Sequence, residues 1–258
     1  MKNTYAIITG ASSGIGTELA SLLAHRGYNL VLAARSEDKL QSIATSMQAT
    51  YGVKVEVCAV DLANAAGPHT LAKFCADKHL AVEILVNNAG YGVWGAFEKC
   101  SLEAQQEMLR LNNETLMSLC YLFYPMLRPQ KGYILNVAST AAFQAVPKMA
   151  AYAATKSFVL SLSRALYHEW KGEVSVTALC PGPTKTGFVA RAGMNDAIDK
   201  LFQKMGMEAN DVARLGVHAM FKRKPEVIAG FSNKMGVWLG NILPKSWVEG
   251  VAAMLFKG

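Results

Sequence analysis

Short apolar runs alternate with helix-patterned segments along almost the whole chain, and that alternation limits the fold more than any other feature. The runs fall near residues 4–9, 29–34, 53–59, 83–87, 131–138, 174–180 and 226–229. They are short and rich in Val, Ile and Leu, and most lack the polar alternation of a half-exposed strand, so both faces of those runs are buried. A helix between successive strands returns the chain to its starting end, which makes neighbouring strands parallel and covers the sheet on both sides. The expectation is a single α/β domain built on a Rossmann-like, doubly wound parallel sheet of seven strands. With 258 residues, 52% of them hydrophobic, the chain suffices for one large core, and no linker, repeat or low-complexity tract divides it.

Three strand ends and one helix carry chemistry. The first strand runs directly into Gly10-Ala11-Ser12-Ser13-Gly14-Ile15-Gly16 and then a helical pattern through Leu19, Leu22 and Leu23. Glycines let the backbone approach a ligand, and the free N–H groups and positive dipole end of the following helix suit a pyrophosphate. The spacing G-x-x-x-G-x-G differs from G-x-G-x-x-G, and an ordinary βα turn would also accommodate it. A later strand ends in Asn87-Asn88-Ala89-Gly90, and another delivers Ser139; turn capping is a structural role open to Asn87 and Ser139. Ligands of open α/β sheets bind outside the C-terminal strand ends, so these segments converge on one crevice. Tyr152-Ala-Ala-Thr-Lys156 then places a phenol and an ammonium on one face of an alanine-rich helix. A lysine beside a tyrosine favours the phenolate and lowers its pKa, and such a tyrosine can exchange a proton with an alcohol or carbonyl oxygen.

In combination these segments make the chain resemble the short-chain dehydrogenases/reductases, closely over residues 1–190 and less toward the C-terminus. Thr9 to Gly16 matches the family's cofactor motif and Asn87-Asn88-Ala89-Gly90 its sheet-stabilising motif. Ser139, Tyr152 and Lys156 fall at the places of the catalytic serine, tyrosine and lysine. Asn112 falls where the family keeps an asparagine supporting a proton-relay water. Pro181-Gly182-Pro183-Thr184-Lys185-Thr186 matches the loop that meets the nicotinamide. The resemblance implies strand order 3-2-1-4-5-6-7, with residues 1–230 as the dinucleotide-binding and catalytic part and 231–258 as an amphipathic extension of the same domain.

It also implies a nicotinamide cofactor held by Gly10, Ser12, Ser13, Gly14, Ile15, Gly16, Asp61, Leu62, Asn88, Ala89, Gly90, Tyr152, Lys156, Pro181, Gly182, Thr184 and Thr186. The strand near 29–34 ends in Ala34 and is followed by Arg35. An acidic residue at that strand end would bind the adenosine ribose hydroxyls, whereas a guanidinium suits a 2′-phosphate. The expected cofactor is therefore NADP. The expected reaction is reversible reduction of an apolar aldehyde or ketone, with Tyr152 as general acid and Trp94, Phe143, Met149 and Phe188 around the substrate. An alternative is an NADP-binding sensor or scaffold without turnover, although such proteins usually carry a broken Ser-Tyr-Lys set.

Other classes find little support. The net charge of +7 is dispersed and no recognition-helix or aromatic–basic stripe is present, so nucleic acid is not an expected partner. Five scattered cysteines without a C-x-x-C pair suggest reduced thiols in a cytoplasmic protein, and five histidines without ligand spacing suggest no metal. Neither a signal peptide nor a membrane-spanning helix is expected. A homodimer or homotetramer is. Beyond the last strand, Met235, Trp238, Leu239, Ile242 and Leu243 share one helical face, Pro244 interrupts, and Ser246 with Glu249 reads as a capping box for a second helix through Trp247, Val248, Val251, Met254 and Leu255. These faces, with Lys234, Lys245 and Lys257 nearby, are expected to cover the pocket, pair subunits or rest on a membrane.

Overall fold

A computed structural model describes residues 2–255. Six strands lead the order: β1 (Tyr5–Thr9), β2 (Asn29–Ala34), β3 (Val55–Ala59), β4 (Val82–Asn87), β5 (Tyr133–Val137) and β6 (Ser175–Cys180). The two-residue strands β7 (Thr184–Lys185) and β8 (Met207–Glu208) pair with each other apart from the main sheet, and β9 (Glu226–Ile228) follows. The main sheet has the order β3-β2-β1-β4-β5-β6-β9, and every neighbouring pair in it is parallel. This is the expected seven-stranded order, with β9 as its seventh member. The order reverses between β1 and β4, so the ligand crevice lies at their C-terminal ends.

Two apolar layers explain why the strands lack polar alternation. Ile7, Val31, Ala33 and Leu85 point into one layer with Leu71, Phe123 and Val159. Ala6, Ile8, Leu30, Leu32 and Val86 point into the other with Leu19, Leu40 and Met220. Adjacent residues of a strand therefore serve opposite cores, and both positions must be apolar. The first layer is closed by α3 (Gly67–Asp77), α5 (Leu116–Leu127) and α6 (Ala150–Glu169); the second by α1 (Gly14–His25), α2 (Glu37–Tyr51) and α9 (Ala209–Phe221). Truncating a fully buried side chain such as Phe123 would cost about 3–5 kcal/mol.

Between α4 (Leu102–Leu109) and α5 the chain makes a π-helical turn, Arg110–Thr115, of a kind often found at functional sites. It buries Asn112 and Asn113 against α6. Two further helices, α7 (Phe188–Arg191) and α8 (Asp196–Met205), follow β7 and lie beside the crevice.

The C-terminal segment forms α10 (Phe231–Ile242) and α11 (Lys245–Leu255), broken at Pro244 as expected. The expected cap is displaced: α11 begins at Lys245, and the Pro244 carbonyl accepts from Trp247 N and Val248 N, so Ser246 sits inside the first turn. Lys257 lies outside the described residues, as do the side chains of Val251, Met254 and Leu255. Helix α10 buries no residue fully; its inner side lines the crevice while Phe231, Trp238 and Ile242 stand exposed. Among the described residues no helix is long and apolar enough to cross a membrane.

A segment that buries so little contributes little to global stability. Truncation after Gly230 should leave the sheet folded and lower the melting temperature only by about 2–4 °C, the shift expected per kcal/mol in a chain of this size. Calorimetry of the truncated protein checks this, and a collapse of the transition would show that α10 and α11 belong to the core.

Candidate active site

Close backbone approach shapes the site at the switch point. Gly10 and Gly14 have φ of 64° and 58°, which other residues rarely adopt. A Cβ on Gly10 would stand 2.9 Å from Ala89 Cα, and one on Gly16 would stand 2.2 Å from the Gly10 carbonyl oxygen. Asn88 holds this contact together: its Nδ2 donates to the carbonyls of Thr9 (3.0 Å) and Gly10 (3.2 Å). Thr9 Oγ1 accepts from the Asn88 and Ala89 amides, both at 3.0 Å, and donates to Val86 O. The Asn88 side chain is thus engaged in joining β1 to β4, while its backbone still borders the crevice.

Helix α1 starts at Gly14 with Ser13 as its N-cap, and the Ser13 side chain makes no capping hydrogen bond. First-turn N–H groups without a side-chain acceptor, above a glycine cradle, fit a dinucleotide pyrophosphate. Gly10, Ser12, Ser13, Gly14, Ile15, Asp61, Leu62, Asn88, Ala89, Gly90, Pro181, Gly182, Thr184 and Thr186 all line one cavity of about 970 Å³. Gly16 does not; it is required by the packing behind the turn. Arg35 lies on the rim of the same cavity with Ser36 and Lys39. Lys39, in the first turn of α2, is a second cation on this cavity, brought beside Arg35 by the turn from β2 into α2.

The catalytic candidates meet where β5 and α6 come together. Ser139 follows the end of β5, with its Oγ accepting from Ala141 N at 3.1 Å. Tyr152, in the first turn of α6, is hydrogen-bonded to the Ser139 hydroxyl. Lys156, one turn on, puts its Nζ 5.8 Å from the Tyr152 ring centre and donates to Val137 O at 2.8 Å. Both side chains are buried. Burial pushes the Tyr152 phenol up to about 12, with the Ser139 hydrogen bond pulling the other way. Burial also lowers Lys156 to about 8. The expected depression of the tyrosine by the lysine is therefore not found in the protein alone: desolvation dominates both groups, and Lys156 spends a proton on a strand carbonyl.

Asn112 is fixed in place by its own amide. Its Nδ2 donates to Tyr91 O (2.9 Å) and Thr155 Oγ1 (3.0 Å), and its Oδ1 accepts from Tyr91 N (3.2 Å). The side chain fastens the loop after β4 to α6 and keeps one Oδ1 lone pair free to accept from a water.

Of the expected substrate residues, Met149 and Phe188 line the cavity, and Phe188 lies 5.5 Å from the Tyr152 ring, centre to centre. Trp94 and Phe143 do not line it. Trp94 packs behind Met149 and beneath Lys148. Phe143 ends a 3₁₀ turn, Thr140–Phe143, and packs against the first apolar layer and beside Arg164, while Thr140, Ala141 and Gln144 line the cavity. The outer wall comes from α10, including Asn233, Gly236 and Gly240, which sequence pattern alone did not reveal. Among the described residues no cluster could hold a metal ion.

A parallel sheet with its crevice at the switch point, a glycine cradle and a buried Tyr–Lys pair defines a dinucleotide-dependent oxidoreductase site. The family model for short chain dehydrogenase matches residues 4–197, and the chain belongs to that family. An uncharacterized oxidoreductase of Staphylococcus saprophyticus is 33% identical over 188 residues, covering 72% of this chain and 80% of its own. A very-long-chain 3-oxoacyl-CoA reductase of Mycosarcoma maydis is 34% identical over 65% of this chain, which spans about half that protein's length (49%). Among solved structures, a short-chain dehydrogenase from Sphingobium yanoikuyae in complex with NADPH has TM-score 0.82 at 29% identity, covering 93% of both chains. One from Burkholderia phymatum in complex with NAD has TM-score 0.83 at 29% identity, covering 94% of this chain and 95% of its own. The protein is thus an oxidoreductase that uses a nicotinamide dinucleotide.

The lowered pKa of Lys156 sets a pH signature. The folded value, about 8, lies below the usual 10.5, so the unfolded chain holds the extra proton between them. Stability of the cofactor-free protein should therefore rise from about pH 8 toward about pH 10 relative to a Lys156→Met variant. Melting curves of the two proteins across that range check it; parallel curves would place Lys156 in a wetter setting than its burial indicates.

Proposed function

We propose that this protein reduces an apolar aldehyde or ketone to the alcohol, reversibly, with NADPH as donor. The observation that carries this reading is the phenol of Tyr152, hydrogen-bonded to Ser139 inside the dinucleotide cavity and raised by burial to about 12. A phenol in that state is protonated at neutral pH and acts as an acid. Ser139 and Tyr152 would both donate to the substrate oxygen, and their buried setting makes those hydrogen bonds strong as negative charge develops there. A bound reduced nicotinamide supplies the hydride. Tyr152 then transfers its proton to the alkoxide oxygen, and the Lys156 ammonium, with a pKa of about 8 and so charged at neutral pH, stabilises the phenolate left behind. Met149 and Phe188 hold apolar surface beside the reacting carbon and exclude water.

Arg35, Ser36 and Lys39 support the choice of NADP, because two cations and a hydroxyl at the rim suit a 2′-phosphate better than a bare ribose. The apolar character of the substrate is supported by the cavity wall and by the very-long-chain 3-oxoacyl-CoA reductase among the relatives.

Tyr152→Phe should lower turnover about a hundred- to ten-thousand-fold, the usual cost of losing a general acid, with cofactor affinity nearly unchanged. NADPH absorbance over a panel of carbonyls, with a fluorescence titration of NADPH, measures both. A variant keeping more than about a tenth of wild-type rate would remove Tyr152 from the acid's role.

Arg35→Asp should shift preference from NADPH to NADH by about 2–4 kcal/mol, combining a lost charge-assisted bond with a new repulsion. Competitive titration of both cofactors against both proteins reads the shift. A wild-type preference for NADH would overturn the NADP assignment.

A further inference from the structure

Helix α10 contains two glycines, Gly236 and Gly240, one turn apart. Neither has the positive φ that demands glycine. A Cβ on Gly236 would meet no atom within 4 Å, and one on Gly240 would make ordinary contacts of 3.5 Å with Val248 Cγ1 and 3.9 Å with Gln144 Oε1. Backbone conformation and packing therefore require glycine at neither place. Within a helix, glycine is the least favourable residue short of proline. This contrasts with Gly10 and Gly16, where a Cβ would collide with backbone.

Both glycines line the cavity that contains Tyr152. Their orientation is fixed at each end of the helix face. Asn233, one turn earlier, bonds to Ala229 O and presses against Gly182, where a Cβ would come within 2.4 Å of its amide. Leu243, one turn later, lines the same cavity. Ile198, Leu201 and Phe202 of α8 line the same cavity. From α10 itself Ser232, Asn233, Val237 and Leu239 also line the cavity, and the two glycines leave space between those side chains.

We propose that Gly236 and Gly240 keep open an apolar groove beneath α10 for the tail of the substrate, and that the preferred substrates are long-chain apolar aldehydes or ketones. The chemical part of this inference rests on Tyr152 protonating a carbonyl; the groove does not. The reacting carbonyl stays at Ser139 and Tyr152, while the chain runs outward between α8 and α10 toward Leu243 and Val248. Gly236 and Gly240 act as specificity-determining positions by absence of volume, and touch no reacting atom.

The test compares wild type with Gly236→Leu and Gly240→Leu, with Gly236→Ala as a folding control. Two measurements are made: kcat/KM for butanal and dodecanal, and binding of butan-1-ol and dodecan-1-ol to the cofactor-saturated protein by calorimetry. Wild type should favour the longer member in both, by roughly three- to fourfold per buried methylene. Either leucine variant should lose on the order of tenfold or more for the long chain, equivalent to two or more displaced methylenes, while butanal changes little. Gly236→Ala should melt no lower than wild type, since alanine is the better helix former. The groove is overturned if wild type binds dodecan-1-ol no more tightly than butan-1-ol, or if folded leucine variants keep full affinity for it. Tight dodecan-1-ol binding without turnover of either aldehyde would sustain the groove and defeat the reductase reading. If neither leucine variant folds, hydrogen exchange of wild-type residues 231–243 decides: dodecan-1-ol must protect them, and absence of protection rejects the groove.

Discussion

The tip of β1 meets the tip of β4 at backbone contact, and the rest of the site depends on that approach. Gly10 and Gly16 leave no room for a Cβ, and Asn88 and Thr9 convert the closeness into hydrogen bonds between the two strand ends. Because the strand order reverses at this point, fastening the tips also sets the shape of the crevice. The glycine turn can then present the N-terminus of α1 to a phosphate without any side chain between them.

A second support runs behind Tyr152. Asn112, held in a π-helical turn, joins the Tyr91 backbone to Thr155, and Thr155 Oγ1 in turn donates to the Tyr152 carbonyl at 2.7 Å. Tyr152 and Lys156 are thereby placed by bonds to their neighbours and leave their own functional atoms for the cavity and for Val137 O. Burial holds the phenol protonated and lowers the Lys156 pKa to about 8, which leaves the ammonium charged at neutral pH. An anionic dinucleotide in the same cavity would favour the positive charge that burial opposes.

The outer wall obeys a different rule. The sheet and its flanking helices are held by side chains with almost no exposure, whereas α10 buries none fully and is positioned through Asn233 and a few contacts at its ends. Elements of that kind change at little cost to the fold, and a family that shares its sheet can vary its substrates there.

Much of the architecture was legible in the sequence because strands buried on both faces cannot hide their composition. The runs at 29–34 and 174–180 correspond to β2 and β6 within a residue, and Gly10 to Gly16, Ser139, Tyr152 and Lys156 stand out by residue type and spacing. Local pattern could not say which way a side chain faces in an irregular segment. Phe143 turns from the cavity to the first apolar layer and Arg164, and Trp94 packs behind Met149 because its loop is held by Ala192 O. Nor could it foresee that desolvation outweighs the lysine's charge at Tyr152, or that Gly236 and Gly240 face the cavity. Strand and helix identity follow from interactions between near neighbours in the chain. Burial, protonation and the walls of a cavity arise from residues far apart in sequence, and only the tertiary structure brings those together.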